Sequence, residues 1–551
     1  HNRISHDGLA SHLNPIFTLW ATVGTLLTQR SPNQFLALYT ASIAYEAFIS
    51  PLSKYPAPIY CHISHFPVAW HMWHGTLPYW IDRLHKKYGP IVRVSPTELS
   101  YTASQAWKDV YGHSRGSDEK KKRGCAKNPR FYGPVRDLDN GTPGILEADD
   151  ANHARFRRIF SHAFSAKALL EQEPIFQKYT SLLVSRLKDK LAEGSLGRFD
   201  LSAWYNYTTF DVMADLTFGE SLGLLEKAQY APWIAAIWNS FQAGVVFRSM
   251  RYWPPFYRIL RLAFGAKLRE KRRTQFRFCA ESVDRRLARD PTHTHKDLWS
   301  LVLAQKEEEG RLTLPEMHTN ASAFMMAGTE TTATACAGLT YYLLKHPDKM
   351  ESVVREIRDT FQSEEDMTIV RMQRLEYLQA CLDETLRIYP PSVTGFQRIT
   401  PPEGAEICGR FVPGGTSVYV SNYACFRSEL NFREPEKFIP ERFLDTTGAF
   451  AYDNRAALQP FSHGPRACMG RQYVADDPFV LCGMLTRRSM AYVEMRMIMT
   501  KMLWNFDLKL CDEDENWLDQ PVFLVFKKRP LLVQVRPRDD WKQETNTFQV
   551  M

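Results

Sequence analysis

Apolar residues recur at helical spacing in the stretch RMQRLEYLQACLDETLRIYPP. Leu375, Leu378, Leu382 and Leu386 are three or four residues apart, which puts them on one face of a helix. Pro390 has no backbone N–H and would end the helix there. The pattern therefore predicts a helix whose leucine face is buried.

The same patterning dominates from about residue 151 to residue 390. Within this part, Thr313 and Glu316 form a capping-box pattern at the start of one long helix. Over 391–443, short β-prone runs such as TSVYVSNYA alternate with Pro and Gly. Helical spacing returns over 490–503, and the tail VFLVFKKRPLLVQVRPR predicts a hairpin. We therefore expect a mainly α protein with small β-sheets.

Two apolar runs stand near the N-terminus, at 16–27 and 35–49, before the Pro-rich stretch PLSKYPAP. Each is shorter than the roughly 20 residues that a membrane-spanning helix needs, and Glu46 interrupts the second. A helix pair within a soluble protein is therefore one interpretation. The basic, Pro-rich hinge favours the other, in which 1–53 form a membrane-anchor region and 54–551 a domain facing the cytosol.

The 551 residues carry a net charge of +8, and 44% of them are hydrophobic. This composition is typical of an ordered globular protein, and the modest basic excess suits an acidic protein partner or an anionic membrane surface. No reader module or basic–aromatic repeat is apparent, so we expect no nucleic-acid partner. The ten cysteines include no CxxC pair, which argues against a zinc cluster and for a reduced, cytosol-facing body.

One cysteine stands in a glycine-rich loop, FSHGPRACMG, at 461–470. Glycines permit tight turns and a close approach of the backbone. An arginine two residues before Cys468 and a helix N-terminus behind it would both favour the thiolate. A lone thiolate is a poor zinc site but a good axial ligand for haem iron. The alternative is an ordinary buried cysteine in a turn.

A second stretch, MHTNASAFMMAGTETTATACAGLTYYLL, combines small and polar residues on the long helix. Ala327 and Gly328 would let a flat cofactor approach the backbone. Glu330 and Thr331 would then offer a carboxylate and a hydroxyl beside the gap, as a proton route during oxygen activation. The alternative is a small-residue packing face on which Thr331 bonds its own helix.

Together these stretches resemble the cytochrome P450 family. FSHGPRACMG matches every fixed position of that family's haem loop, FxxGxRxCxG, while AGTETT, ETLR and FIPERF match further motifs in the family's order. The resemblance spans roughly 54–538 and is nearest to fungal, membrane-bound members of secondary metabolism. It implies the cytochrome P450 fold and a haem b cofactor. Cys468 would be the axial ligand of the iron, Arg466 would reach a haem propionate, and Phe461 would shield the sulfur.

The resemblance also implies roles outside the loop. His153 and Arg157, one turn apart in ANHARFRRIFSHAFS, and Arg398 would meet the haem propionates. Thr331 and Glu330 would be the catalytic residues.

The ETLR and FIPERF motifs concern structure rather than chemistry. Glu384 and Arg387 are three residues apart on the leucine helix and can pair, although a solvated surface pair is the usual meaning of such spacing. The resemblance implies that they join Arg442 in a structural triad beside the haem.

The implied function is a haem-thiolate monooxygenase that hydroxylates or epoxidises a lipophilic small molecule in secondary metabolism. No nucleotide-binding fingerprint is apparent, so electrons from NADPH would arrive through a separate NADPH-cytochrome P450 reductase, with cytochrome b5 as a further candidate partner. The implied location is the endoplasmic reticulum membrane, with the catalytic domain in the cytosol. A P450-fold isomerase or dehydratase without a reductase is the alternative enzyme.

Five segments rich in aromatic and aliphatic residues are candidate walls of the substrate site, and they suit a lipophilic ligand as well as ordinary packing. They are 130–146, 228–257, 324–327, 393–397 and 522–524.

The family's pattern after the cysteine, CxGRxLAxxE, is interrupted by residues 473–489. Removing them closes the pattern, with Met490 at the leucine position. Asp476, Asp477 and Pro478 are poor helix formers, so a helix grown from the loop would break within this segment. The segment is interpreted either as a surface insertion or as a retained intron translated in frame, and the second interpretation allows an inactive, haem-poor product.

Overall fold

The structure, a computed structural model, describes residues 32–112, 124–133, 140–230, 242–289, 297–303, 311–445, 447–471 and 489–538. Helices dominate, as the sequence predicts. They are α1 (Pro32–Ala44), α2 (Ile59–Ile63), α3 (Phe66–Trp73), α4 (Leu77–Tyr88), α5 (Gln105–Tyr111), α6 (Pro129–Tyr132), α7 (Asp150–Ser161), α8 (Ala166–Glu171), α9 (Glu173–Ala192), α10 (Leu201–Phe218), α11 (Leu224–Lys227), α12 (Pro254–Leu287), α13 (Leu298–Leu303), α14 (Leu314–Lys345), α15 (Pro347–Thr360), α16 (Ile369–Met372), α17 (Glu376–Ile388), α18 (Asn422–Phe426) and α19 (Met490–Asn505). A further helical segment covers 242–249.

The strands are short. They are β1 (Ile91–Ser95), β2 (Glu98–Tyr101), β3 (Ala126–Lys127), β4 (Arg198–Asp200), β5 (Arg398–Ile399), β6 (Ala405–Ile407), β7 (Arg410–Val412), β8 (Ser417–Val420), β9 (Phe506–Leu510), β10 (Val522–Phe523), β11 (Val525–Phe526) and β12 (Leu532–Pro537). The largest sheet has the order β1-β2-β8-β5-β3, in which β2 and β8 are parallel and the other neighbours are antiparallel. β12 lies between β4 and β9, and β6 pairs with β7.

Two helices form the centre of the fold. α10, buried along nearly its whole length, packs against α14, which runs for 32 residues. The start of α14 is the predicted capping box: the Thr313 side chain accepts from the Glu316 N–H, and the Glu316 carboxylate accepts from the Thr313 N–H at 2.8 Å. Gly328 lies at the crossing, where an added Cβ would come within 2.6 Å of Met213 Sδ. Gly328 therefore serves the packing of α14 on α10, and its use as room for a flat cofactor stays a prediction.

The N-terminal apolar region is tied to the largest sheet. α1 leads into a π-helical turn, Tyr45–Ile49, and its Glu46 carboxylate lies 2.6 Å from Nη2 of the fully buried Arg93 on β1. The acidic residue that interrupts the second apolar run thus has a partner in the sheet. Of the helices that the structure describes, none is long and apolar enough to cross a membrane. The first run, 16–27, lies outside the described residues, and the anchor at 1–53 stays a prediction.

The tail departs from the expected single hairpin. β10 and β11 pair with each other through a tight turn at Leu524, whose φ is 75°. β12 pairs instead with β9 and β4. In TSVYVSNYA, only Ser417–Val420 is a strand, and α18 begins at Asn422. Short apolar runs fit a strand or a helix locally, and their distant partners decide between them.

Candidate active site

The cysteine loop is closed by its own backbone. The Cys468 N–H donates to the Phe461 carbonyl at 2.8 Å, and the Ala467 N–H donates to the Gly464 carbonyl at 3.0 Å. Gly464 has a φ of 76°, and a Cβ there would lie 2.0 Å from the Tyr111 carbonyl oxygen. Only glycine fits this position, so the loop's shape depends on it.

The Cys468 residue is exposed at the surface of the described protein, but many protein atoms surround its sulfur and partly desolvate it. This burial raises the pKa of the Cys468 thiol, while the backbone N–H groups of Gly470 and Arg471 and the Arg157 guanidinium lower it. The sequence placed a helix N-terminus behind the cysteine. The structure differs, because α19 begins only at Met490 and the donors belong to the loop itself.

The chain resumes after the interruption in helical register with the loop. The Ala491 N–H lies 3.5 Å from the Gly470 carbonyl oxygen, and the Val493 N–H donates to the Ser489 carbonyl at 2.9 Å. Without residues 473–489, Ala491 would be the fourth residue after Gly470, which is the spacing of an α-helical hydrogen bond. Residues 472–488 lie outside the described residues. The residues on either side of them, Gly470 and Ala491, lie at the hydrogen-bonding distance expected within one continuous helix.

Two arginines predicted to bind propionates carry buried N–H groups without a partner. Arg466 donates from Nη2 to the Asp150 carboxylate at 2.7 Å and to the Ala148 carbonyl at 2.9 Å, while its Nη1 is buried and unpaired. Arg398, on β5, is 7% exposed, and its Nε is likewise unpaired. Buried guanidinium donors of this kind favour an anionic ligand.

A lysine that the sequence analysis missed joins these arginines. Lys127 lies on β3 directly opposite Arg398. Burial first, and then the charges of Arg466 and Arg398, lower the pKa of Lys127 to about 7. His153 is buried by the same group: burial, followed by Arg466 and Arg157, lowers its pKa to about 3. Lys127, Arg398, Arg466 and Arg157 thus form a cation cluster around the neutral His153. Their like charges repel one another, as expected of a site for the two carboxylates of a haem.

Arg157 also reaches the cysteine loop. Its Nη1 donates to the Ala467 carbonyl at 2.5 Å, which ties α7 to the residue before Cys468. No sequence signal for Lys127 was available, because β3 is two residues long and its partner strand is about 270 residues away along the chain.

The long helix presents an open strip beside its buried faces. Ala327 is exposed and Thr331 is half-buried, whereas their neighbours Thr329 and Glu330 are buried. The Thr331 hydroxyl donates to the Ala327 carbonyl at 2.6 Å, which is the helix bond considered as the alternative. A hydroxyl on an open strip can nevertheless exchange this bond for one to a ligand.

Glu330 does not share that strip. Its Oε1 lies 2.6 Å from Lys528 Nζ and accepts from the Thr334 hydroxyl at 3.0 Å, and both charged side chains are at most 6% exposed. Burial raises the pKa of Glu330, and the Lys528 charge opposes that rise. The predicted position of Glu330 beside the gap is therefore wrong. The sequence analysis also missed Lys528, which lies after β11.

The three residues of the expected triad lie in direct contact. Arg387 donates to both carboxylate oxygens of Glu384 at 2.7 Å, and Arg442 Nε lies 3.1 Å from Oε2 of the same group. The Ile439 N–H adds a bond of 2.8 Å. Asp453, which the sequence did not indicate, binds the far side of Arg442. A solvated pair is excluded, because the triad is at most 1% exposed.

Comparisons with known proteins agree with this geometry. The family model "Cytochrome P450" matches residues 51–535. The cytochrome P450 monooxygenase efuB of Hormonema carpetanum is 43% identical over 94% of this chain and 97% of its own length. The cytochrome P450 monooxygenase FUM2 of Gibberella moniliformis is 39% identical over 89% of this chain and 98% of its own length. The averantin hydroxylase of Aspergillus parasiticus is 38% identical over 90% of this chain and 94% of its own length. These matches support a monooxygenase over the isomerase or dehydratase alternative, and the chain belongs to the cytochrome P450 family of haem-thiolate monooxygenases.

Proposed function

We propose that Cys468 binds the iron of haem b and that the cation cluster binds its carboxylates. The observation that carries this proposal is a pair of buried, unpaired donors, Arg466 Nη1 on the cysteine loop itself and Arg398 Nε on β5. Lys127 and His153 would supply the remaining donors. When bound, the haem supplies the redox chemistry that activates O2 with two electrons.

The chain's own residues control protons and water around that chemistry. The Thr331 hydroxyl lies on the open strip, where it can accept a hydrogen bond while it donates to the Ala327 carbonyl, and can donate one when it releases that carbonyl. Glu330, Lys528 and Thr334 form a buried network on the adjacent turn of α14. We assign Glu330 to positioning and charge balance behind Thr331, rather than to direct contact with the reacting atoms.

The substrate is a lipophilic small molecule of fungal secondary metabolism, into which one oxygen atom is inserted at a C–H or C=C bond. Its electrons would come from NADPH-cytochrome P450 reductase, with cytochrome b5 as a further donor. The exposed Arg158 on α7 and Arg471 beside the cysteine loop offer positive charge for an acidic flavoprotein. Arg466 contributes little there, because it is occupied by Asp150.

The proposed location is the endoplasmic reticulum membrane. Large apolar side chains at the end of the predicted anchor and just after it are exposed, among them Phe48 at 76%, Ile49 at 71% and Trp70 at 47%. The Glu46–Arg93 ion pair holds this surface against the body. Flotation of the chain with microsomal vesicles, compared with Phe48→Ser/Ile49→Ser, tests it, and equal flotation of both proteins would contradict this surface as a membrane contact.

The carbon-monoxide difference spectrum of the purified protein tests the function. The red-shifted Soret band of a thiolate-bound haem should appear in the wild type and vanish in Cys468→Ser. Arg398→Gln should release haem to apomyoglobin faster than the wild type, whereas the exposed control Arg410→Gln should not. A thiolate spectrum that survives Cys468→Ser refutes the assignment.

The proton role has its own test. Thr331→Val should lower product formed per NADPH consumed and raise peroxide. The matched control is Thr329→Val, which removes a hydroxyl that also bonds its own helix, to the Met325 carbonyl at 2.7 Å, but on a buried face. If the two variants form equal amounts of product per NADPH consumed, the Thr331 hydroxyl serves only the hydrogen bonding of its own helix.

A further inference from the structure

A groove lined by aromatic side chains opens on the surface that α2, α3 and α4 form. Its volume is about 340 Å³, within the range of about 300–1,000 Å³ that small-molecule sites have. The lining residues are Tyr60, Phe66, Pro67, Trp70, His71 and Trp80. Tyr60, Phe66 and Trp70 are 43%, 50% and 47% exposed, whereas Trp80 is 5% exposed and forms the floor. Four aromatic rings from three helices therefore surround this space.

The lining of the groove is uncharged. Of the described residues that line it, only His71 could titrate near neutral pH. Burial first, and then the charge of Arg83, lowers the pKa of His71 to about 4, so its ring is neutral. That ring stacks on Trp80, with 4.8 Å between the ring centroids and 19° between the planes. An uncharged group of aromatic rings attracts an organic cation, because the face of each ring carries negative partial charge.

One exposed cation stands beside the groove. Arg83 lies three residues after Trp80 on α4, which is about one helical turn, and its charge acts on His71. Arg83 is exposed, and within the described part of the chain it makes no ion pair. A guanidinium without a carboxylate partner suits a phosphate, which it can bind through two N–H groups. The groove and Arg83 thus offer a place for a cation next to a place for an anion.

The groove also adjoins the surface that we propose as the membrane contact. Trp70 belongs to both, and Ile59, which precedes Tyr60, is a further exposed apolar side chain at 59%. A lipid at this surface can therefore place its headgroup in the groove while its acyl chains stay in the membrane. Phosphocholine is the headgroup that joins a quaternary ammonium to a phosphate, and aromatic cages are the sites that proteins use for quaternary ammonium groups.

We propose that the groove binds the phosphocholine headgroup of a membrane lipid, with its trimethylammonium among the aromatic rings and its phosphate at Arg83. This inference rests on the proposed membrane location and is independent of the chemistry at Cys468. It adds recognition of one headgroup to a contact that is otherwise only apolar. Ethanolamine carries a primary ammonium, which holds its water more strongly, so the groove should prefer choline.

Native mass spectrometry of the haem-loaded protein in maltoside detergent tests this preference. The protein is mixed with equal concentrations of phosphatidylcholine and phosphatidylethanolamine that have the same acyl chains, and the ratio of the two lipid-bound species is measured. Phosphatidylcholine should be bound in at least fivefold excess. Phe66→Leu and Trp70→Leu should each bring the ratio near one, whereas the control Phe411→Leu, which removes an exposed ring on β7, should leave it unchanged. Equal binding of the two lipids, or a preference that survives both groove variants, would overturn the inference.

The phosphate contact has its own variant. Arg83→Gln removes a contact that both lipids share, so it should weaken the binding of both severalfold and keep their ratio. The exposed control Arg410→Gln should weaken neither. Unchanged lipid binding in Arg83→Gln would overturn the assignment of the phosphate to Arg83.

Free phosphocholine separates a membrane lipid from a soluble ligand. It lacks acyl chains and should displace the lipid only in large excess, and displacement at equal concentration would assign the groove to a soluble choline compound instead. A normal carbon-monoxide difference spectrum without a choline preference overturns this inference and leaves the monooxygenase intact. Loss of that spectrum with the preference retained refutes only the proposed function.

Discussion

Replacing the carboxylate at the centre of the triad should destabilise the whole protein. Glu384 and Asp453 balance Arg387 and Arg442, and all four side chains are at most 2% exposed. Glu384→Gln leaves one buried positive charge uncompensated and turns an amide N–H₂ toward guanidinium donors. Breaking a buried ion pair in this way costs about 3–5 kcal/mol. At roughly 2 cal/mol/K per residue, unfolding a chain of this length has an entropy near 1 kcal/mol/K, so the melting temperature should fall by roughly 3–4 °C.

Differential scanning fluorimetry of the haem-loaded protein measures this loss. The matched control is Glu351→Gln, which breaks the ion pair between Glu351 and Arg355. In that pair the glutamate side chain is 70% exposed and the arginine side chain 63% exposed. Exposed pairs contribute about 0.2–1 kcal/mol, so the control should shift the melting temperature by no more than about 1 °C. The double variant Glu384→Gln/Arg442→Met restores charge balance and should lose less than the two single changes added together. If Glu384→Gln melts no lower than the control, the argument from buried charge is refuted.

Three further outcomes are expected. Burial lowers the pKa of His85 to about 4. The unfolded side chain titrates near pH 6.5, so protonation below that pH favours the unfolded state, and the folded protein loses stability as the pH falls from about 6.5 toward 4. His85→Asn should therefore lose less melting temperature than the wild type between pH 7 and pH 5. Deleting 473–489 should raise the haem content per protein, because Gly470 and Ala491 are already in helical register, and an insoluble or haem-free deletion would contradict this. Lys528→Met should lower product per NADPH, and Lys528→Arg should restore it.

The sequence predicts well what short stretches of chain determine. The capping box at Thr313 and Glu316, the leucine face of α17 and the closed cysteine loop each depend on residues within about ten positions of one another. Local hydrogen bonds and helical spacing are visible in a sequence because they do not depend on how distant segments meet.

The remaining features depend on contacts between distant segments. Lys528 meets Glu330 across 198 positions, and Lys127 meets Arg398 across 271. Gly328 also packs against Met213 of α10, a contact that its own stretch of sequence does not indicate. Lys127 and Lys528 are unremarkable in their own stretches, and only the packing of the sheet and of the tail against α14 gives them these neighbours.

The balance of buried charge separates structural clusters from ligand sites in this protein. In the triad, Arg387 and Arg442 face Glu384 and Asp453, so the group is neutral without any ligand, and its role is to hold the fold. At the cysteine loop, the charges of the cation cluster outnumber the two carboxylates near it, Glu147 and the exposed Asp150. A protein that folds around such an excess pays for it in stability unless an anion arrives, because desolvated like charges repel.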